Sequence, residues 1–404
     1  MNEWKTYKIS ELCSDIIDCV NKTAPISEVP TPYKMLRTSD IRNGFINTDN
    51  LNSVTGETFE KWTRRGKLQR GDIIFTREAP LGEAAIVRDA ENYFLGQRLV
   101  LYRADPTACD NRFLLYAFLN HETKQSIIAK GNGATVLHLR VPECGNIEIK
   151  APDIKIQKRI GNILSAYDDL IENNQKQIKL LEEAAQRLYK EWFVDLRFPG
   201  HETTPIVDGV PEGWARCCLE NVISFNPKVF LSKERLKQSI PMSALSTTSM
   251  VLDFNEFTTT YSNAGSKFQN GDTLLARITP CLENGKTAFV SGIESSEGAV
   301  GSTEYIVMRE KGITPYMVYL LARTEDFRQA AINSMTGSDG RQRAQVDKLK
   351  TLPYLKPTIQ IIELFARYVE PMFMQLQTRN KQNMELKQAR DRLLPKLMSG
   401  EIEV

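Results

Sequence analysis

The sequence predicts a mixed α/β protein that is built twice, with two globular parts that are each followed by a long helix. Two observations predict this fold. Segments of the first half recur in the same order in the second half, and apolar residues repeat every seven positions in two C-terminal stretches of those halves. The chain has 404 residues, of which 41% are hydrophobic and 25% charged, as is typical of a folded protein with roughly two to four domains.

The internal repeat is clearest around a Gly-Asp pair. Residues 68–80 read LQRGDIIFTREAP and residues 268–280 read FQNGDTLLARITP, so the Gly-Asp pair, an arginine and a proline recur 200 positions later. Trp4 and Trp214 open the two copies at a spacing of 210 positions. Other matching segments are 113–119 with 316–322 and 180–188 with 385–393. Matches that keep their order while their spacing drifts indicate a tandem duplication with loop insertions.

Within each copy, short β-branched and aromatic runs between turn residues predict strands. Such runs are 72–75, 84–87, 99–102 and 305–308. Helices are predicted at 111–129 and 315–333. Because the strands are grouped and do not alternate regularly with helices, the α+β form of a mixed α/β fold is favoured.

Each copy ends in a predicted long helix with an apolar seam. The seam residues are Leu164, Ile171, Ile178, Leu181 and Leu188 in the first helix, and Val369, Leu376, Leu386 and Leu393 in the second. This spacing predicts that the helices pair as an antiparallel coiled coil with approximate two-fold symmetry, which separates the two globular parts. The alternative is that each helix packs only on its own globular part.

Polar residues interrupt both seams, at Asn174 in the first helix and at Arg379 and Asn383 in the second. A polar seam residue can fix the register of a coiled coil. Pro371 is expected to distort the early part of the second helix, because proline removes a helical hydrogen bond.

These patterns divide the chain into four regions. A first globular domain covers 1–150, a first long helix 151–197, a linker with the second globular domain 198–355, and a second long helix with the tail 356–404. A helix over residues 156–194 would be about 58 Å long at 1.5 Å per residue.

Composition excludes several classes of protein. The sequence lacks phosphate-binding loop motifs, and its three histidines and seven cysteines do not have the spacing of a metal site. No apolar run approaches the roughly 18 residues of a membrane-spanning helix, and the N-terminus lacks the apolar core of a signal peptide. We expect a cytoplasmic, non-catalytic protein with reduced thiols and without a bound metal or cofactor. The acidic pair Asp168-Asp169 is expected to be solvated.

Any DNA-binding surface must be a local patch, because 52 Lys and Arg residues against 50 Asp and Glu residues leave a net charge of only +2. Arginine, glutamine and asparagine can read base edges, while lysine, serine and threonine hold phosphates. The candidate residues are Arg64, Arg65, Lys67, Arg77, Asn132, Thr135, His138 and Arg140 in the first half, and Arg277, Thr279, Asn284, Lys286, Ser338, Arg341, Gln342 and Arg343 in the second. The alternative is a set of solvated loops and a β-turn between strands.

Several segments resemble a known family. They are LYKEWFVD at 188–195, RLLPKLMSGEI at 392–402, VPEGW at 210–214, and the less specific segments 277–286 and 301–305. With these segments, essentially the whole chain resembles the specificity (S) subunit of Type I restriction-modification systems.

The resemblance implies two target-recognition domains that each read one half of a split, asymmetric DNA sequence. It also implies that the paired helices act as a spacer and dock two methyltransferase subunits, which carry S-adenosylmethionine and methylate adenine N6. Restriction subunits that use ATP and Mg²⁺ can join the complex. The chain itself would be non-catalytic.

On this interpretation Arg341 and Arg343 contact the second half-site, and Arg64, Arg65 and Arg140 serve the first. Alanine at Arg343 is then expected to lower the affinity for DNA and to relax one recognised position. Two alternatives stay open at this point: a specificity subunit of a related Type II-like system, and a two-headed scaffold that binds proteins. The scaffold predicts no salt-dependent DNA affinity.

Overall fold

The structure is a computed structural model that describes residues 4–48, 50–90, 92–133, 136–338 and 340–404. The chain forms two compact units. The first consists of Met1–Asp169 and Leu386–Val404, and the second of Leu170–Glu385. Each unit therefore contains one globular part together with segments of both long helices. The predicted mixed α/β fold is confirmed.

The helices include two that are much longer than the rest. In chain order they are α1 (Ile9–Leu12), α2 (Gly56–Trp62), α3 (Asn111–Leu119), α4 (His121–Ala129), α5 (Val141–Cys144), α6 (Ile154–Tyr189), α7 (Pro315–Ala322), α8 (Glu325–Asn333), α9 (Val346–Lys350) and α10 (Ile359–Ser399). A π-helical turn, Lys190–Val194, extends α6, and short 3-10 turns lie at Thr38–Asp40, Leu219–Asn221, Met242–Ala244 and Phe254–Glu256. Both predicted shorter helices are divided in two. The second breaks where the Thr324 hydroxyl accepts a hydrogen bond from the amide of Phe327 and caps a new helix.

The first unit is built on a four-stranded antiparallel sheet with the order β2-β10-β7-β8. A second sheet has the order β6-β3-β9, and the pairs β1-β11 and β4-β5 complete the unit. The strands are β1 (Lys5–Lys8), β2 (Cys13–Asp18), β3 (Lys34–Leu36), β4 (Ile41–Arg42), β5 (Phe45–Ile46), β6 (Asn52–Ser53), β7 (Ile73–Thr76), β8 (Ala84–Ile86), β9 (Tyr93–Leu95), β10 (Leu99–Ala104) and β11 (Glu148–Ala151).

The second unit repeats this arrangement, with an antiparallel sheet of the order β15-β22-β19-β20. Its second sheet has the order β17-β16-β21-β18, and β14 pairs with β23 as β1 pairs with β11. The strands are β12 (Ile206–Val207), β13 (Val210–Pro211), β14 (Ala215–Cys218), β15 (Ile223–Phe225), β16 (Lys237–Ile240), β17 (Thr258–Thr260), β18 (Ser266–Phe268), β19 (Thr273–Ala276), β20 (Thr287–Phe289), β21 (Ala299–Gly301), β22 (Tyr305–Glu310) and β23 (Pro353–Lys356).

The repeated Gly-Asp pair has the same structural role in both units. Asp72 accepts a backbone hydrogen bond from Gln69 and is held by Arg103 at 2.9 and 2.8 Å. Asp272 is bound in the same way by Arg309, at 2.6 and 2.7 Å. Both aspartates are buried, and a buried carboxylate needs this full set of donors. The shared strand order and the shared ion pair confirm the tandem duplication.

The central strands are buried on both faces, which explains their continuous apolar sequences. In the first unit Phe75, Tyr102 and Phe118 form an aromatic cluster between the sheet and α3. In the second unit Phe289 and Tyr319 pack on Phe373 of α10, which anchors that helix to the globular part.

The heptad seams are buried along both long helices. In α6 and the turn after it, the buried residues at seven-residue spacing are Gln157, Leu164, Ile171, Ile178, Ala185 and Trp192. In α10 they are Ile362, Val369, Leu376, Asn383, Arg390 and Leu397. The predicted seam residues Leu181, Leu188, Leu386 and Leu393 are half-buried. The α-helical assignment of α10 continues without interruption through Pro371, so the expected distortion does not break the helix.

Within the second unit the two long helices run antiparallel. Asn174 bonds Asn383, and near the opposite end of this stretch Tyr189 packs on Phe365. The core of this unit contains side chains from both helices and from the globular part, including Ile178 and Val369. The alternative in which a helix packs only on the globular part that precedes it is therefore wrong for the C-terminal half of α6.

Asp168 is a correction to the sequence analysis. Only 1% of its side chain is exposed, and it accepts hydrogen bonds from the Tyr116 hydroxyl at 2.6 Å and from Arg390 at 2.5 Å. Arg390 occupies a seam position of α10, so this ion pair lies where a polar group must be paired. Asp169 is exposed as expected, and it forms an ion pair with Arg88 at 2.6 Å.

The seven cysteines carry free thiols. Within the described residues, the helices are too short or too polar to span a membrane. No group of three or more His, Cys, Asp or Glu side chains in the described part of the chain is placed to hold a metal ion.

Candidate nucleic-acid interface

The two candidate loops occupy equivalent positions in the two units. In the first unit the backbones of Asn132 and His138 exchange two hydrogen bonds, of 2.9 and 2.8 Å. In the second unit Thr336 and Arg343 exchange the same pair, at 3.1 and 2.9 Å. We call the segments 131–140 and 336–344 the paired loops. Each loop is closed at its base by this pair of backbone hydrogen bonds.

An arginine anchors each of the paired loops to the central sheet. Arg77 donates from its guanidinium to the carbonyl of Leu139 at 2.9 Å, and its own carbonyl accepts from the Leu139 amide. Arg277 binds Ala344 in the same two ways, at 3.3 and 2.8 Å. Arg77 is only 5% exposed, so its guanidinium binds the loop from the buried side. The repeated arginine of the sequence is thus a loop anchor in both units.

In the first unit Asp18 joins the basic segment 61–70 to the paired loop. Its carboxylate lies 3.2 Å from the guanidinium of Arg77 and 3.5 Å from that of Arg65. Arg65 also donates to the carbonyl of Cys19 at 2.9 Å. The structure therefore brings together Arg65, Arg77 and the loop at 131–140, which are far apart in the sequence.

The other candidates of this segment differ in whether their charged groups contact other side chains. Arg64 is exposed at the surface. Lys67 is also exposed, but its ammonium group contacts Glu60 at 2.8 Å and lies 5.4 Å from the centre of the Phe59 ring. Of the three candidates Arg64, Arg65 and Lys67, Arg64 is therefore the one best placed to meet a phosphate.

The ion pair next to each paired loop has the opposite order of charges in the two units. In the first unit Arg98 contacts Glu78 at 3.1 Å, beside the loop residue His138. In the second unit Glu304 occupies the position of Arg98 and receives a bidentate bond from Arg343, at 2.7 to 3.0 Å. The carbonyls of Arg98 and Glu304 both accept from the anchoring arginine, which establishes their equivalence.

The hydrogen bonds from Arg343 lower the pKa of Glu304, and those to Glu304 raise the pKa of Arg343. Both groups are therefore charged around neutral pH. Sequence reasoning did not select Arg98, although Glu304 lies in a segment that it did single out. The signal that could have found both is their shared place immediately before a central strand.

Some of the remaining candidates of the second unit stabilise the fold, and others are exposed at the surface. Thr279 donates its amide to the carbonyl of Gln342 at 3.1 Å, and Lys286 donates to the carbonyl of Met242 at 2.9 Å. Their polar groups thus stabilise the fold around the loop. The exposed candidates are Asn284, Ser338 and Arg341, while Gln342 is half-buried.

In the first unit Asn132 and Arg140 are exposed, and Arg140 has a loose contact of 3.8 Å with Glu143. Thr135 lies outside the described residues. The exposed amide of Asn132 and the exposed guanidinium groups of Arg140 and Arg341 have the chemistry that contacts base edges and phosphates. The imidazole of His138 is half-buried.

Comparison with known proteins shows what the chain is similar to. Residues 1–183 match the family model of the Type I restriction modification DNA specificity domain. The resemblance to Type I specificity subunits that the sequence predicts is thereby confirmed.

Similar proteins extend the match beyond the first half. The specificity subunit of the Type I restriction enzyme MjaIX from Methanocaldococcus jannaschii is 25% identical over 355 residues, which covers 83% of this chain and 78% of that protein. The HindI specificity subunit from Haemophilus influenzae is 18% identical over 471 aligned positions that span both chains completely. Because these relatives are named as specificity subunits, the prediction that the chain is not an enzyme is confirmed.

A solved structure supports the fold. The crystal structure of the S subunit of a Type I restriction-modification system from M. genitalium superimposes with a TM-score of 0.56 at 16% identity. The match covers 98% of this chain and 96% of that one. The fold is thus shared along nearly the whole length of both chains.

Proposed function

We propose that this chain recognises a split, asymmetric DNA sequence and docks two adenine-N6 methyltransferase subunits, to which restriction subunits can be added. The observation that carries the proposal is the repetition of the paired loops, one in each of two units with the same strand order. The paired loops differ in sequence, with Asn132 and His138 in the first unit and Arg341 and Gln342 in the second. Different loops on the same scaffold suit two half-sites of different sequence.

The long helices serve in this proposal as a spacer between two target-recognition domains. The recognition domains are 1–150 and, with the linker, 198–355; the helical regions are 151–197 and 356–404. Pairing of the helices as an antiparallel coiled coil with approximate two-fold symmetry would separate the domains by about 58 Å, which is roughly 17 base pairs of DNA. The heptad burial within each unit supports this arrangement.

Docking of the methyltransferase subunits is supported by apolar side chains on the outer surface of the helices. Leu170, Leu180, Tyr368 and Met374 are all more than half exposed in the second unit. These side chains are available for contacts with a partner subunit. S-adenosylmethionine, ATP and Mg²⁺ would then belong to the partner subunits.

The test is a base-resolution map of N6-methyladenine in a host without its own methylation. The chain is expressed with the methyltransferase subunit that is encoded beside it. We expect methylation confined to one motif, consisting of two short half-sites separated by a gap of fixed length. Replacing residues 1–150 with those of another specificity subunit should change one half-site only. A soluble complex that methylates no more than the methyltransferase alone would contradict the proposal.

DNA binding in vitro separates the proposal from a protein-binding scaffold. The logarithm of the binding constant should fall linearly with the logarithm of the salt concentration, because phosphate contacts release counterions. An affinity that does not depend on salt or on sequence would favour the scaffold. The products of the neighbouring genes distinguish a Type I system from a Type II-like one.

A further inference from the structure

Phe230 is the most exposed large apolar side chain among the described residues, with 87% of its surface accessible. It lies in the connection between β15 and β16, which we call the β15–β16 loop (226–236). Leu236 at the end of the same loop is also more than half exposed. An aromatic side chain exposed to this extent is available to a ligand.

The charge of the β15–β16 loop indicates the chemistry of its ligand. The loop contains the cations Lys228, Lys233 and Arg235 against a single acid, Glu234. Arg235 is bound to Glu297 at 2.7 Å, whereas Lys228 and Lys233 are exposed. An apolar tip between exposed lysines suits a polyanion that also offers apolar surface, and DNA has both the phosphates and the base stack.

The β15–β16 loop is fixed to other parts of the second unit on either side of Phe230. The side-chain amide of Asn263 donates to the carbonyl of Leu231 at 2.9 Å. The amide of Ser232 donates to the carboxylate of Glu297 at 3.0 Å. At the start of the loop, Asn226 accepts from the amide of Val307 at 2.9 Å. Phe230 is thus held outward by bonds to its neighbours, so little ordering would be needed on binding.

A continuous series of contacts joins this loop to the paired loop of the same unit. Leu231 is bound by Asn263, and nearby Gly265 approaches the backbone of Gly301 so closely that a Cβ atom would clash. Three residues after Gly301, Glu304 holds Arg343 of the paired loop. The β15–β16 loop is therefore joined through the fold of the second unit to the paired loop proposed to read the second half-site.

We propose that Phe230 is an apolar wedge that enters the DNA minor groove and opens one base step at the half-site bound by the second unit. The inference rests on the proposed function. Phenylalanine and leucine are among the side chains that open base steps in this way and kink the duplex. Lys228 and Lys233 would hold the phosphates on either side. The wedge makes this half-site sensitive to the deformability of a step that no hydrogen bond reads.

In the first unit, the corresponding connection between β2 and β3 exposes smaller apolar side chains. Ile26 and Val29 are exposed there, and Lys22 is the cation that precedes them. The aromatic ring and the flanking lysines are thus a property of the second unit. We expect the distortion of DNA at one half-site only.

The experiment uses the complex of the full chain with its methyltransferase subunit and DNA that contains the mapped motif. The fluorescent base 2-aminopurine is placed in turn at each position in and around both half-sites. Its fluorescence increases where the base becomes unstacked. The variants are Phe230→Ala, Phe230→Leu and Lys228→Ala, and the matched control is Val207→Ala, which removes another exposed apolar side chain of the second unit.

We expect the wild-type complex to increase the fluorescence at one step of the second half-site. Phe230→Ala should abolish that signal and weaken binding about tenfold, the loss of one stacking contact, without changing the slope of affinity against salt. Phe230→Leu should retain part of the signal, and Val207→Ala all of it. Lys228→Ala should lower the salt slope by about one and keep the unstacked step.

Failure of the wedge is distinguishable from failure of the proposed function. If wild type methylates a split motif but no 2-aminopurine position responds, or if Phe230→Ala behaves like Val207→Ala, the wedge is refuted alone. If Phe230→Ala instead loses the methyltransferase subunit in size-exclusion chromatography, Phe230 is a protein contact and the wedge is also refuted. If wild type neither binds nor methylates DNA specifically, the proposed function itself fails.

Discussion

The side-chain amide of Asn174 donates a hydrogen bond of 3.0 Å to the side-chain oxygen of Asn383, 209 positions later in the chain. Both residues interrupt apolar seams, and in the same stretch Arg379 donates to the side chain of Gln177. The polar residues that make the second seam irregular in sequence thus find partners across the helix pair. Because only one register brings the two asparagines together, the pair favours that register over its neighbours.

Leucine substitutions at Asn174 and Asn383 should separate the effect of the pair on stability from its effect on the choice of register. Asn383→Leu leaves the Asn174 amide without its partner, and we expect a loss of about 1 kcal/mol in the free energy of unfolding. The double variant Asn174→Leu/Asn383→Leu should melt at a higher temperature than the single one. It should also form additional oligomers, which light scattering after size-exclusion chromatography would resolve. A double variant that stays in one state would show that the pair does not select the register.

The neighbours Asp168 and Asp169 offer a matched comparison of a buried and an exposed ion pair. Asp168→Ala removes the buried counter-charge of Arg390 and leaves it only the exposed carboxylate of Asp391, at 2.8 Å. We expect this to cost about 3–5 kcal/mol. Asp169→Ala removes a surface pair with Arg88 and should cost no more than about 1 kcal/mol. Urea unfolding followed by tryptophan fluorescence measures both. Equal midpoints for the two variants would contradict the assignment.

Replacing both partners of the buried pair tests whether the unpaired charge causes the loss of stability in Asp168→Ala. Asp168→Leu together with Arg390→Met should recover most of the stability, because an apolar pair of similar volume avoids desolvating two charges. If the double variant is as unstable as Asp168→Ala, packing around the site dominates over the unpaired charge.

The long helices could be predicted from the sequence because their pattern is local. Seven-residue spacing puts Leu164, Ile171 and Ile178 on one face whatever else the chain does. The duplication was equally visible, since the Gly-Asp turn and its arginine recur in order. The same spacing could not show that Asp168 is buried, because its partner Arg390 comes from the other end of the chain.

The sequence indicated which segments form the candidate interface, but it did not indicate the role of each residue in them. Arg77 and Arg64 are both arginines in polar stretches, yet one lies beneath a loop and the other at the surface. What separates them is the carbonyl of Leu139, 62 positions away, and the carboxylate of Asp18. A contact of that kind depends on the sheet that brings β2, β7 and β10 together, and no local pattern encodes it.

Arg64 should contribute to DNA affinity without contributing to sequence choice. It is an exposed cation, so Arg64→Ala should lower the slope of log affinity against log salt by about one and leave the methylated motif unchanged. Lys176→Ala is the control, since this exposed cation of α6 is paired with Glu172 within its own helix. Fluorescence anisotropy at several salt concentrations gives the slopes. A changed motif would instead make Arg64 a base-reading residue.

The ion pair between Glu304 and Arg343 should be insensitive to pH in the physiological range. Hydrogen bonds from Arg343 hold the pKa of Glu304 below its usual value, so the carboxylate stays ionised throughout the range above it. Its contribution is present above the unfolded-state pKa and is lost only as pH falls through the lower, folded-state pKa. DNA affinity of wild type and Glu304→Gln should therefore change in parallel between pH 5.5 and 8. A midpoint in that window in wild type alone would contradict this.

Two substitutions decide whether Arg343 reads DNA or only holds its loop. Arg343→Ala should lower the affinity and relax one recognised position of the second half-site, as the sequence predicts. Glu304→Gln removes the charge that holds Arg343 but keeps a hydrogen-bonding side chain in place. If Arg343 contacts a base, freeing its guanidinium should maintain or increase the affinity for the motif. If it is only an anchor, Glu304→Gln should weaken binding as Arg343→Ala does, and Arg341→Ala should then be the variant that relaxes the methylation map at one position.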